Sequence, residues 1–308
     1  MAFNITKELD LKRIQQELNI KEKSIENMKI DESELKEIYR DFQINLVGLE
    51  KIRAEVLAIL NDNLSGKVHS IRCRIKDADH LIEKIIRNIN SKPDKYKELN
   101  TQNYNKIITD LIGVRIIILD KRDWRDVHNS LLKIFRNLPE RYVNQPGDIV
   151  ENYEKYKKEA NEKGKELENS YHAEKPVVYI TSEDDRELYK DENLEIDNSK
   201  THYRSMHYII RYKYVYFEIQ VRTLFEEGWL EFDHRIKYPY DQGNNKKQEF
   251  ASILSSLAIA ADRLISFYNS ADFEQKFGSC IDEGKQKTVA NDSESEEQTL
   301  ENKLKTLF

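Results

Sequence analysis

Residues 205–223, SMHYIIRYKYVYFEIQVRT, leave the backbone little choice. Two β-rich runs, 205–212 and 215–223, stand almost back to back, the pattern of a hairpin. In the second run Phe217, Ile219 and Val221 point one way while Glu218, Gln220 and Arg222 point the other. One face can therefore pack on a core while the other presents a carboxylate, an amide and a guanidinium in a row. An antiparallel sheet with one wet face reads the same way, so the rest of the chain must decide what the row is for.

Other strand signals surround this one. Val114–Asp120, VRIIILD, is a β-branched apolar run that predicts a strand buried on both faces. KPVVYIT at 175–181 predicts another, and Arg72–Lys76 alternates like an extended segment. Helical patterns flank the strands. Leu35, Ile38, Phe42, Leu46, Leu49, Ile52, Val56 and Leu60 recur every three or four residues as an amphipathic stripe, closed by DNLSG with Gly66 as breaker. Further helices are expected at about 77–90, in WRDVHNSLLKIFRNL, at 224–238 and at 250–268. The very polar stretch 151–171 predicts an exposed helix or mobile insertion, and 184–200 a charged loop with weak order. The expected organisation is a helical extension at 1–63, a domain at 64–242 with a charged insertion at about 140–200, a helix at 243–278, and a flexible acidic tail at 279–308.

A net charge of -6 argues against a general nucleic-acid coat, but leaves a local phosphate site open. Cys73 and Cys280 lie far apart and fit no zinc or redox spacing, so a reducing compartment is expected. No run approaches the roughly 18 apolar residues of a membrane span, and the N-terminus has no apolar signal core. The expectation is a cytoplasmic protein with no membrane partner.

Four constellations carry chemistry. In RCRIKDADHLIEKIIR, Arg72, Arg74 and Lys76 alternate into a helix on which Lys84 lies about two turns beyond Lys76, with His80 midway on the same face. Cations converging at a helix entry suit a polyphosphate, and guanidinium planes stack on bases; a solvated basic face has the same composition. In TDLIGVRIIIL, Asp110 stands at the mouth of the strand, Gly113 permits close approach, and Arg115 is a charge in an apolar run. Arg115 needs a partner: Asp110 is one reading, and the other frees Asp110 to hold Mg²⁺. In KTHYRSMHYII, Tyr203 sits among Lys200, His202 and Arg204, exposed and able to stack on a nucleobase; His207 reads equally as a satisfied sheet histidine. The fourth is Glu218, Gln220 and Arg222 with Trp229, Glu231, His234, Lys237 and Tyr238, where His234 also fits a helix-terminal cation.

In order and spacing, GKVHSIRCRIKDADHLIEK, TDLIGVR, YRSMHY, FEIQVRT and the H followed by KY resemble the synthetase domain of the RelA/SpoT homologue family over about residues 64–240, in the manner of its small alarmone synthetases. The resemblance implies an α/β fold, a mixed, mostly antiparallel sheet of about five strands flanked by helices, with helical extensions at both ends. It implies transfer of the β,γ-pyrophosphate of ATP to the 3′-hydroxyl of GDP or GTP, releasing AMP, without alarmone hydrolysis. Carried to the matching positions, Arg74 and Arg115 would sandwich the adenine and Lys76 and Lys84 bind the ATP phosphates. Asp110 and Glu218 would hold Mg²⁺, Glu218 also taking the hydroxyl proton. Tyr203 would stack on the acceptor base, with His207, Gln220, Arg222 and His234 lining or supporting that side.

The departures fall mostly on the acceptor side: His202 where the family has glycine, His80 where it often has serine, a longer charged stretch between Leu138 and Lys200, and Glu227 or its neighbours at the position that often serves the acceptor base. A toxic relative acting on tRNA 3′ ends or adenine nucleotides would use a basic track of Lys200, Arg204, Arg211 and Lys213. An inactive module that binds nucleotide or a partner is a third possibility, and the flanking helices could serve a homo-oligomer or an antitoxin.

Overall fold

The computed structural model describes residues 7–137, 155, 158, 170–199, 203–213, 215–237 and 245–270. The chain divides into two compact units, 1–262 and 263–308. Of the second, the described residues are the last turns of one helix and the two residues after it. Apart from residues 155 and 158, the reading of 151–169 lies outside the described residues, as do those of His202, Lys200, Tyr238 and the tail.

All five anticipated strands form and share one mixed sheet: β1 (Ser70–Ile75), β2 (Ile112–Ile118), β5 (Val177–Ile180), β7 (Ser205–Tyr212) and β8 (Val215–Thr223). Three short strands join it: β3 (Arg136–Asn137), β4 (Ser170–His172) and β6 (Glu195–Asn198). The main order is β1-β2-β8-β7-β4-β3, with β5 also on β7 and β6 on β5. β7 and β8 are the hairpin, with Lys213 at φ 56 in its turn. β2 runs parallel to β8, so Ile112–Ile118 needs the long crossover between them, and both strands sit inside the sheet.

The apolar side of β2, β7 and β8 buries Val114, Ile116, Tyr208, Ile210, Phe217, Ile219 and Val221 in a continuous core. Helix α3 (Glu32–Leu64) covers that core with the stripe the sequence shows, and Gly66 turns the chain after it at φ +76. At 33 residues α3 is about 50 Å long. It reaches β1, where Arg53 Nη1 donates to the Cys73 carbonyl at 3.4 Å, and the hairpin, where Glu55 takes Tyr212 Oη at 3.1 Å and Lys213 Nζ at 2.5 Å. Helices α1 (Leu11–Glu17) and α2 (Glu22–Glu26) pack on α4 (Ala78–Ser91). The N-terminal extension thus belongs to the same core as the sheet. Short helices α5 (Pro93–Tyr96) and α6 (Tyr104–Ile107) lead to β2, and α7 (Trp124–Ile134) follows it.

Two expectations are corrected here. The charged loop expected at 184–200 is structured over its described residues 184–199: it supplies β6, and Asp184 is buried against Lys121 at 2.5 Å. The absence of a span-like run fails for Glu249–Tyr268, which is long and apolar enough to cross a membrane by length and composition. This segment belongs to α9 (Asn245–Tyr268), which follows α8 (Leu224–Lys237). One side of α9 is docked: Trp229 Nε1 donates to the Ala251 carbonyl at 2.9 Å, and buried Asp262 meets Arg204 at 3.3 Å. Phe250, Ile253 and Leu257 on α9 and Phe225 and Phe232 on α8 remain exposed.

His128 and His172 lie inside the core, His128 Nδ1 against Tyr208 Oη at 3.0 Å and His172 Nε2 against the Leu131 carbonyl at 3.2 Å. Burial pushes both imidazoles down, His172 to about 4. The folded chain therefore holds fewer protons on His172 than the unfolded chain does. Its stabilisation is complete above the unfolded value near 6.5 and is lost as pH falls toward 4, up to about 3 kcal/mol. Thermal midpoints measured by circular dichroism should fall between pH 7 and 5, and His172→Leu should flatten the fall. The difference between the two proteins isolates the imidazole from Asp262, whose carboxyl burial pushes up to about 6. Equal slopes would sink the assignment.

Candidate active site

The sheet register sets the polar face. Residues paired across strands share a face, so Arg72, Arg115, Gln220 and His207 form one transverse row over β1, β2, β8 and β7. Arg74, Gly113, Glu218 and Ile209 form the next. Gly113 leaves a gap between Arg74 and Glu218 that a Cβ would enter without meeting any atom within 4 Å. Above these rows lies a cleft of about 570 Å³, the size of a small-molecule site. Arg72, Arg74, Lys76, His80, Asp110, Gly113, Arg115, Glu218, Gln220 and Glu231 line it.

The donor-side cations converge as expected, on an unexpected centre. Asp77 caps α4, accepting from Asp79 N at 2.9 Å and His80 N at 3.2 Å. The capped helix brings Lys84 beside Lys76, and their Nζ atoms lie 2.7 and 2.9 Å from one oxygen, Asp110 Oδ2. Burial raises the Asp110 pKa, but the two ammonium groups together hold it below the ordinary carboxylate value. Its other oxygen, Oδ1, is buried without a hydrogen-bond partner. His80 turns back to Asp77, with Nδ1 3.3 Å from Oδ1.

Arg115 rules out one of its two sequence readings. Asp110 is not its partner: Nη1 donates to Glu227 Oε1 at 2.7 Å and also pairs with Glu231. Both acids come from α8, more than a hundred residues later. Helix α8 is placed by a reciprocal cap, in which Thr223 N donates to Glu226 Oε2 at 2.9 Å and Glu226 N to Thr223 Oγ1 at 3.1 Å. The threonine that ends the strand thus starts the helix.

The acceptor-side residues are tied into one network around Arg222, whose side chain is 4% exposed. Its Nε donates to Ser205 Oγ at 3.0 Å and its Nη1 to Glu227 Oε2 at 2.9 Å. Its Nη2 donates to Tyr203 Oη at 2.8 Å and to Gln220 Oε1 at 2.5 Å. Tyr203 Oη lies 2.6 Å from His207 Nε2, and His207 Nδ1 lies 3.0 Å from Glu218 Oε1. Gln220 Nε2 donates to Glu218 Oε2 at 2.7 Å. One proton arrangement satisfies the chain: Tyr203 donates to Nε2 and Nδ1–H donates to Glu218. Burial raises the Glu218 pKa, yet the hydrogen bond from His207 and the charge of Lys84 leave the carboxyl below its ordinary value. Tyr203 is half-buried rather than exposed, and burial raises its phenol against the nearby Arg222.

Tyr179 was missed. Its ring meets His207 edge-on at 5.0 Å and Tyr203 at 5.8 Å. The alternation in KPVVYIT places it on one face with Val177, and the register pairs it with Ser205. Arg204 does not face the cleft: it is 2% exposed, among Asp184, Glu226 and Asp262. His234 falls on α8, but its side chain lies outside the described residues.

Residues 73–243, which contain this cleft, match the family model described as a region found in RelA/SpoT proteins. The chain belongs to the RelA/SpoT family. Comparison with curated proteins finds no match. Among solved structures, this RelA/SpoT-family chain is similar to a GTP pyrophosphokinase family protein from Streptococcus pneumoniae, with 14% identity over 73% of this chain and 88% of that one, at a TM-score of 0.46. It is also similar to two proteins from Bacillus subtilis. One is small alarmone synthetase 1, with 16% identity over 74% and 90% of the two chains and a TM-score of 0.42. The other is small alarmone synthetase 2, with 18% identity over 73% and 93%, and the same TM-score of 0.42.

Arg222→Met should cost about 3–5 kcal/mol, because it strips charge from a buried pair and leaves Glu227 underpaired. Arg222→Lys should recover little of this, since a point charge cannot reach four acceptors in one plane. Urea denaturation reads both; a lysine variant as stable as the original would refute the hub role.

Proposed function

We propose that this chain is an ATP-dependent pyrophosphokinase that moves the β,γ-pyrophosphate of ATP onto the 3′-hydroxyl of GDP or GTP, making a guanosine alarmone without hydrolysing it. The observation that carries the reading is the floor of the cleft. There Asp110, with two lysines on one oxygen, and Glu218, hydrogen-bonded by His207, line the same cleft as an open glycine position.

Phosphoryl transfer asks a protein mainly for positioning and charge neutralisation. Arg74 and Arg115 are the proposed faces for the adenine, and Lys76 and Lys84 the ligands of the ATP phosphates, exchanging Asp110 for phosphate oxygens. Asp110 and Glu218 would hold Mg²⁺. The buried, unpartnered Asp110 Oδ1 fits such an ion, which characteristically takes one or two carboxylates plus substrate phosphates. When bound, the ion supplies charge neutralisation at the transferring phosphates. Glu218 accepts the proton of the 3′-hydroxyl as that oxygen bonds to Pβ; the bond from Pβ to the α,β-bridging oxygen breaks and AMP leaves. Tyr203, supported by Arg222 and His207, is the proposed platform for the acceptor base. Gln220 orients Glu218, and His234 is assigned to the same side.

A tRNA acceptor would need a basic track to Tyr203. Among the described residues that track is not assembled: Arg204 is buried in an ion cluster, Lys213 pairs with Glu55, and Arg211 lies over the Tyr216 ring at 5.7 Å.

The deciding experiment incubates the chain with Mg²⁺ and ATP labelled in its β and γ phosphates, in parallel with GDP, GTP, ADP and deacylated tRNA. Label on GDP or GTP is expected. Label on ADP or tRNA alone would replace the acceptor, and transfer to none would remove the activity. Glu218→Gln should lower turnover by about 10²–10⁴. Because the Glu218 carboxyl is held low, the base stays ionised on the acid side, and the acid limb of the pH–rate profile should lie below the ordinary carboxylate range.

A further inference from the structure

Glu227 is a buried carboxylate whose two oxygens serve two different arginines: Oε1 takes Arg115 Nη1 at 2.7 Å and Oε2 takes Arg222 Nη1 at 2.9 Å. Arg115 faces the cleft on β2, and Arg222 holds Tyr203 and Gln220 on the other side. We propose that Glu227 couples the two sides, so that an adenine nucleotide against Arg115 and a purine nucleotide acceptor against Tyr203 bind with positive cooperativity. The identity of the two ligands rests on the functional reading above; the coupling rests on the geometry.

A carboxylate is planar and rigid, so its two oxygens cannot move independently. The backbone at Glu227 is fixed as well, because the cap between Thr223 and Glu226 sets the first turn of α8. A displacement of Arg115 that turns the carboxylate must therefore disturb Arg222, and with it the Tyr203 hydroxyl. Leaving either bond unmade underpairs a carboxylate whose side chain is 9% exposed.

Arg115 has a second acceptor, Glu231, whose side chain is 51% exposed. Its guanidinium is thus shared between a fixed buried acid and a solvated one on the same helix. A base stacked on the Arg115 face occupies the plane but leaves the edge free to donate, which orders the group against Glu227. An acceptor base on Tyr203 orders the same bridge from the other end. Whichever ligand binds first bears the ordering of Glu227, Arg115 and Arg222, and the second binds a bridge already set. The coupling must be reciprocal.

Calorimetry on the full chain with Mg²⁺ tests this, using GDP and an ATP analogue with a methylene between the α and β phosphorus atoms, which cannot transfer. Each ligand should tighten the other by about fivefold or more, by the same factor in both orders. Glu227→Gln puts an amide donor against one arginine and should bring the factor to about one. Glu227→Asp keeps the charge but is too short to span both guanidinium groups, and should do the same if the glutamine variant folds poorly. Binding of both ligands without coupling, or coupling unchanged in folded Glu227 variants, overturns the inference and leaves the functional reading standing. Failure of both ligands to bind overturns the two together.

Discussion

One buried guanidinium organises the side of the cleft that carries Tyr203, His207 and Gln220. Arg222 is removed from water at the end of a central strand, where an unpaired charge would be prohibitive. Its donors must all find acceptors, and they find them on four separate pieces of chain: Ser205 on β7, Tyr203 before it, Gln220 on the same strand, and Glu227 on α8. Strand, hairpin partner and following helix are thereby brought to one geometry. The planar fork of arginine suits this, since it offers several directed bonds from one rigid group.

The side that carries Lys76, Lys84 and Asp110 is held from outside. Asp79, in the first turn of α4, takes Arg13 Nη2 at 3.0 Å from α1 and Tyr39 Oη at 2.9 Å from α3. These bonds seat the helix that carries Lys84, two residues after the cap that orders His80. On the far side, Lys121, Asp184, Arg204, Glu226 and Asp262 form a buried ion cluster joining α8 and α9 to the sheet. The helical extensions therefore act on the site through its supports. Their packing links the N-terminal stripe, the charged segment before β7 and α9 to the same cleft floor.

Much of the fold was legible because periodicity is local. The stripe from Leu35 to Leu60 gives α3, the alternation from Phe217 to Arg222 gives a two-faced strand, and Val114–Ile118 gives an inner one. Short strands were not legible: β6 and β3 have too few residues to show a period and exist because a neighbouring edge offers hydrogen bonds. The charged segment at 184–198 reads as a loop, since nothing in it announces that Asp184 will meet Lys121. The apolar helix at 249–268 is misjudged for a related reason. Its single acid near the end, Asp262, faces a buried arginine, a fact its own composition does not carry.

The sequence by itself determined the two faces of the sheet and which residue types stand on the polar one, because side-chain direction follows from backbone period. It also determined the family, through motifs whose order spans residues 66–238. Only the tertiary structure decided who pairs with whom. Asp110 and Arg115 lie five apart and leave two readings open, as partners or apart, but Asp110 sits at the strand mouth beside α4 and Arg115 at mid-strand beneath α8. Charge attraction acts over a few ångströms in space and is blind to distance along the chain. Its pairings are therefore fixed by the register of β1, β2, β8 and β7 and by where two capped helices cross them.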